Sequence, residues 1–238
     1  MTKVPVAPLA ATLAVQTLAT MALYSVPAVA RDLGVRGTLV GGFVATGYGV
    51  GIISALLSPG LIRRHGGVRA TQAVLLAACG MLALAAVGGS VFTLWLAAVV
   101  LGLGYGASAP ASTHLLVPHT PRPIFNMVMS LRQIGVPLGG VFAALILPPL
   151  VLAIGWRWAL LAELIPALTL IAVMEIPRRR WDADREPGRN AWGRTLLQPF
   201  HLLADGRIRI LSAACFIYSG LQLCFVAFMT GAILHCVE

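Results

Sequence analysis

Seven apolar stretches, each long enough to cross a bilayer, constrain this chain more than any other feature; they cover residues 8–30, 38–62, 70–88, 91–117, 125–150, 156–176 and 208–235. A hydrocarbon core of about 30 Å takes roughly 20 apolar residues in an α-helix. Inside it, every backbone polar group must find a partner within the segment, so helices are the expected form. Of the 238 residues, 58% are apolar and only 11% are charged, and the mean hydropathy is +0.88. That charge content is under half of the ~25% of an ordinary soluble domain, too little to wet a globule. A soluble domain, a disordered chain and a disulfide-stapled secreted module are all excluded. Cys79, Cys215, Cys224 and Cys236 fall inside apolar runs with no C-x-x-C pair. Neither a metal site, a disulfide framework nor any other cofactor is expected. The chain reads as an all-α integral membrane protein.

The first six stretches follow in quick succession, a polar segment comes next, and one more apolar stretch ends the chain. The expected organisation is a six-helix set at 1–176, a central loop at 177–207 and the opening of a second set at 208–238. The first stretch ends Ala28-Val29-Ala30-Arg31, which mimics a signal-peptidase site. Its apolar run exceeds the roughly 7–15 residues of a signal peptide and only Lys3 precedes it, so it reads as a span.

Lysine and arginine in short loops set orientation. With the N-terminus in the cytoplasm, 13 of the 17 basic residues fall inside, Arg31, Arg36 and Arg157 fall outside, and Arg132 lies within the fifth stretch. The net charge of +9 is then a topology signal, reinforced by anionic lipid, and no nucleic-acid partner is required. Trp95, Trp156 and Trp158 land at outer ends, where an interfacial aromatic belt belongs. Trp181 and Trp192, with Leu196, Leu197, Phe200, Leu202 and Leu203, suggest a short helix lying on the inner surface. Sixteen arginines against one lysine point to a GC-rich bacterial source, and so to an inner-membrane address.

Helices in lipid associate through small residues that let backbones approach. Gly47 and Gly51, Gly102 and Gly106, and Gly135 and Gly139 each place two glycines on one helix face. The second, fourth and fifth stretches are therefore expected to pack inside, with the others facing lipid more. Pro27, Pro110, Pro137, Pro148 and Pro149 should bend or loosen their helices. A short echo, VGGFVA at 40–45 against LGGVFA at 138–143, matches the equivalent helices of an inverted three-plus-three repeat.

Among polar residues in the spans, Arg132 is the sharpest candidate. A buried arginine is expensive in a membrane, and it suits an anionic substrate such as a small carboxylate. Gln16, Thr20, Tyr24 and Pro27 share one face of the first span; Tyr105, Ser108 and Ser112 share one of the fourth; Asn126, Ser130, Gln133 and Pro137 share one of the fifth. Such stripes either line a shared aqueous cavity or bond helix to helix. Glu163 lies too far in depth from Arg132 for a direct pair, so it is either a proton-coupling residue or bonded to a neighbour. Glu175 and His114 lie near span ends and read as interfacial.

The run Ser130-Leu131-Arg132-Gln133-Ile134-Gly135-Val136-Pro137-Leu138-Gly139-Gly140 resembles the glycine–proline motif on the fifth helix of the major facilitator superfamily, especially bacterial members near the cyanate-porter and monocarboxylate-like groups. The loop Gly60-Leu61-Ile62-Arg63-Arg64-His65-Gly66-Gly67-Val68-Arg69 resembles that family's signature loop, with Arg64, Gly66 and Arg69 in place. Arg63 stands where the family has an acid, so its usual charge latch does not carry over. Leu101-Gly102-Leu103-Gly104-Tyr105-Gly106-Ala107 resembles the end of another motif, whose arginine is replaced by Ala98. The resemblance implies a six-helix bundle with an inverted repeat, a cavity lined by the first, fourth and fifth helices, and secondary active transport of a small polar or anionic solute by alternating access. The family has two such halves, so the chain is expected to be a truncated half, or to complete a cavity by self-association.

Two other function classes compete. An intramembrane hydrolase would need Ser108 or Ser112 beside His114, but these positions point about 240° and 200° apart on a helix. No G-x-S-x-G occurs either, so no enzyme is expected. A non-transporting membrane module, a remnant or scaffold that dimerises, is the remaining alternative.

Overall fold

The computed structural model describes residues 5–30, 32–34, 37–88, 90–185 and 202–236. The inner-surface helix expected around Trp192, Leu196, Leu197 and Phe200 lies outside these residues. Two compact units are present, Met1–Gly193 and Arg194–Glu238. Described residues are helical or in turns, with no strand among them.

In the first unit, α1 (Val6–Ala28), α2 (Gly37–His65) and α3 (Gly67–Val87) are continuous helices. The next three spans are each made of two helices: α4 (Val91–Tyr105) with α5 (Ser108–Leu116), α6 (Phe125–Gln133) with α7 (Gly135–Ile154), and α8 (Trp156–Ala162) with α9 (Leu164–Glu175). The short α10 (Arg178–Trp181) follows. The second unit holds α11 (Gly206–Cys236). Six segments are long and apolar enough to cross a membrane: Val6–Ala28, Leu39–His65, Gly67–Val87, Val91–His119, Arg122–Ile154 and Trp156–Glu175. These coincide with the first six expected stretches to within a few residues, except that the fifth runs longer.

The three interruptions share one cause. Proline has no N–H to return to the carbonyl four residues earlier, and its ring crowds that carbonyl. Pro110, Pro137 and Pro166 each stand third in the helix after a break. The carbonyls they deprive belong to Gly106, Gln133 and Ala162, and the helices stop at Tyr105, Gln133 and Ala162. Pro148 and Pro149, also expected to loosen their span, sit inside a helix that continues through them, whereas α1 ends at Ala28, one residue after Pro27.

The glycine pairs act as contact stripes. A Cβ on Gly102 would lie 2.6 Å from the Gly47 carbonyl oxygen, and one on Gly106 would lie 2.9 Å from the Ala55 nitrogen. The α2 and α4 backbones therefore touch. Gly135 and Gly139 meet α1 instead, with the Leu13 carbonyl at 2.9 Å and Met21 nitrogen at 2.8 Å from the missing methyls. Overall burial runs against expectation. The first and third spans are 56% buried, against 22% for the second and 17% for the fifth. A small-residue stripe marks where one neighbour approaches; it does not say how many neighbours a helix has. The main core lies among α1, α3, α4 and α8, where Leu23, Met81, Leu82, Leu101 and Leu160 are sealed from solvent.

Candidate functional site

A polar cluster joins the first and fourth spans at the break between α4 and α5. Ser108 donates to Gln16 Oε1 at 2.7 Å, and Gln16 Nε2 donates to Thr20 Oγ1 at 3.3 Å. Thr20 Oγ1 lies 3.5 Å from the Tyr105 hydroxyl. Tyr48 of α2 meets Tyr105 edge to face, with ring centroids 5.8 Å apart. Gln16, Thr20 and Ser108 are buried, so polar groups deep in an apolar bundle satisfy one another, as they must. Ser112 bonds back to the Ser108 carbonyl at 2.6 Å. Gln16 also borders the fifth span, its Cβ lying 2.9 Å from where a Gly135 methyl would be. Tyr24, half-buried, sits over Gly140. Thus Gln16, Thr20, Tyr105 and Ser108 come together, while Asn126, Ser130 and Gln133 are exposed and bonded to none of them.

Arg132 is the penultimate residue of α6, next to Gln133. Its Nη2 donates to Gln133 Oε1 at 2.8 Å. Its Nε and Nη1 are buried without a hydrogen-bond partner among the described residues. Arginine has five N–H donors and no way to lose its charge in water, so the arrangement leaves a cation with donors to spare.

Glu163 occupies the break between α8 and α9 and is buried. Its partner is Ser25 of α1, whose Oγ lies 2.7 Å from Oε1 and 2.8 Å from Oε2. Ser25 was not singled out by the sequence, although it follows Tyr24 on an otherwise apolar helix end. Tyr48, flanked by Gly47 and Gly49, carried a similar unused signal.

A charged network lies where α2 turns into α3. Gly66 adopts φ +97°, a conformation that favours glycine, and the Asp182 carboxylate stands where a side chain at 66 would be. Asp182 Oδ1 accepts the Val68 N–H at 2.8 Å, capping the first turn of α3. Burial raises the Asp182 pKa above the ordinary carboxylate value, opposed by the backbone N–H groups of Val68 and Arg69. Arg69 pairs with Glu175 at 3.3 Å and Arg178 with the same carboxylate at 2.7 Å. His114 Nε2 lies 3.6 Å from Asp184 Oδ2. Arg63 and Arg64 are exposed at the end of α2. With an arginine at 63, acids at the end of the sixth span and just beyond it, Glu175 and Asp182, tether this loop.

Residues 9–235 match the family model of the Major Facilitator Superfamily. The chain belongs to that superfamily. The match takes in nearly all of the first span, the other five spans whole and most of α11. None of the curated proteins compared with the chain matches it. As a Major Facilitator Superfamily protein it is an integral membrane transporter, embedded in lipid and acting on a small-molecule substrate. In this superfamily member the motif glycines Gly102, Gly106, Gly135 and Gly139 are the points at which helix backbones touch.

Proposed function

We propose that this superfamily member moves a small polar or anionic organic solute by alternating access, with Arg132 contacting the anionic group. The observation that carries the reading is the pair of buried Arg132 nitrogens without a partner among the described residues, on the turn just before the fifth span breaks. Broken helices beside polar groups are how transporters expose backbone and charge to substrate at mid-membrane. The cluster of Gln16, Thr20, Tyr105 and Ser108 supplies further hydrogen-bonding groups, and Glu163 is the proposed carrier of a coupling proton. Residues 1–176 form the transporting half, 177–207 the linking loop and 208–238 the opening of a second set, with the N-terminus in the cytoplasm of a bacterial inner membrane. The exposed polar residues Asn126, Ser130 and Gln133 call for a facing helical surface, from a second half or a second copy.

The test is uptake of small carboxylates by vesicles containing the full chain, with membrane insertion measured in parallel. Arg132→Gln and Arg132→Ala are expected to lower uptake at least about tenfold while inserting normally, a loss of ~1.4 kcal/mol or more in anion binding. Unchanged uptake kinetics in these variants would overturn the anion contact.

A further inference from the structure

We propose that the cavity at the arginine-rich end of the second and third spans binds the phosphate headgroup of an anionic phospholipid. The cavity measures about 740 Å³ and is lined by Leu61, Arg64 and His65 of α2, Arg69, Ala70 and Ala73 of α3, and Arg178 and Arg185. Four arginines line it, with no acid in the lining. Glu175, outside the lining, engages Arg69 and Arg178. Arg64 and Arg185 have no ion pair among the described residues.

Helix electrostatics account for only part of this concentration. Cations suit the C-terminal end of α2, where Arg63, Arg64 and His65 stand. Arg69, in contrast, sits in the first turn of α3, where the helix dipole disfavours it, and Arg185 lies beyond α10. Arg69 and Arg178 share the single Glu175 carboxylate, so positive charge remains in excess at the cavity and favours an external anion. Arginine forks match phosphate oxygens two at a time, which makes phosphate the fitting group.

The remaining walls select the carrier of that phosphate. Leu61 and Ala73 are exposed and Ala70 is half-exposed; they lie on the last turn of one span and the first two turns of the next. An anion with an attached apolar chain fills both parts of such a cavity, whereas free phosphate fills only the basic part. Basic pockets between spans are a known form of headgroup site.

The experiment is a thermal-shift titration of the purified full chain, stripped of lipid in detergent. Dioleoylphosphatidylglycerol is the probe, with dioleoylphosphatidylcholine and inorganic phosphate as comparisons. The phosphatidylglycerol is expected to raise Tm saturably, with little shift from either comparison. Arg64→Gln with Arg185→Gln is expected to weaken its apparent affinity about 30-fold, since each arginine near a lipid surface contributes ~1 kcal/mol. Both side chains are exposed and without an ion pair among the described residues, so the variant is expected to keep the fold, which its Tm without lipid checks. Arg122→Gln with Arg179→Gln, exposed arginines outside the cavity lining, should change affinity less than threefold. An equal loss in that control would show diffuse attraction, and an equal shift with inorganic phosphate would show a site for free anions. Either result overturns the proposal, as does an unchanged affinity in the Arg64 and Arg185 variant.

Discussion

Glu163 turns both carboxyl oxygens toward the single hydroxyl of Ser25, at 2.7 and 2.8 Å. That hydroxyl also lies 2.8 Å from the Met21 carbonyl oxygen. A hydroxyl has one proton to donate, so it cannot satisfy all of these acceptors. A neutral carboxyl resolves the shortage, donating to Ser25 Oγ while Ser25 donates to Met21. Glu163→Gln, whose amide N–H replaces the acid O–H, is therefore expected to leave stability within about 0.5 kcal/mol. Glu163→Ala removes the partner and opens space, and should cost about 1–3 kcal/mol. Thermal denaturation in detergent separates the two; a glutamine variant as unstable as the alanine one would rule out the neutral acid. If Glu163 also carries a coupling proton, the glutamine variant loses the pH dependence of uptake while remaining folded.

Some glycines in this bundle touch the backbone of a neighbouring helix, and others have nothing near a built Cβ. A methyl at Gly102 would collide with the Gly47 carbonyl and Val50 Cβ, at 2.6 and 2.7 Å, with rigid helix on both sides. Gly102→Ala and Gly106→Ala are expected to cost about 1–3 kcal/mol each, as overpacking does. Gly41 and Gly49 have nothing within 4 Å of a built Cβ. Gly41→Ala and Gly49→Ala should be neutral or gain up to about 1 kcal/mol from helix propensity. Equal Tm changes in the two classes would mean that α2 and α4 do not meet through Gly102 and Gly106.

Span positions were legible in the sequence because the length of an apolar run is a property of neighbouring residues alone. Contacts were not. Gly102 and Gly139 announce a face that a backbone can approach, but nothing local names α2 for one and α1 for the other. Ser25 and Glu163 lie 138 residues apart, and Val68 and Asp182 lie 114 apart, so only the fold introduces them. Glu163 shows the boundary well: the sequence marks a costly buried acid, and the structure supplies its partner. The break beside it was readable in principle from Pro166, through the carbonyl four residues before. The basic residues at 63–69 read as a topology signal and a signature loop, and only the fold sets Arg178 and Arg185 beside them.

Pro110, Pro137 and Pro166 can be tested as a set. Replacing Pro166 with alanine returns an N–H to the Ala162 carbonyl and lets α8 and α9 join, turning Glu163 relative to Ser25. Proline in a helix interior costs ~3 kcal/mol relative to alanine. Pro166→Ala is therefore expected to raise helicity and thermal stability but to reduce uptake, because the break that positions Glu163 disappears. Circular dichroism and vesicle uptake on the same preparation decide it. Full activity with a healed helix would show that the interruption has no functional role.

Asp182 predicts a pH dependence outside the membrane. Burial raises its pKa in the folded chain above the ordinary carboxylate value. The folded state then binds a proton that the unfolded state has already released, so stability falls as pH rises through that interval. The contribution is fully present below the ordinary carboxylate value and is lost once pH passes the raised one. Groups facing it work in both directions: the Val68 and Arg69 N–H groups and His114 favour the charged form, and Asp184 disfavours it. Asp182→Asn keeps an oxygen for the Val68 N–H and removes the buried charge. It is expected to match or exceed wild-type Tm at neutral pH and to flatten the pH profile on the acid side. Asp182→Ala removes the cap as well and should cost about 0.5–2 kcal/mol. A Tm series over the acid range checks the sign: an aspartate chain that gains stability as pH rises through the interval, with the asparagine chain flat, would show that the cap outweighs the burial.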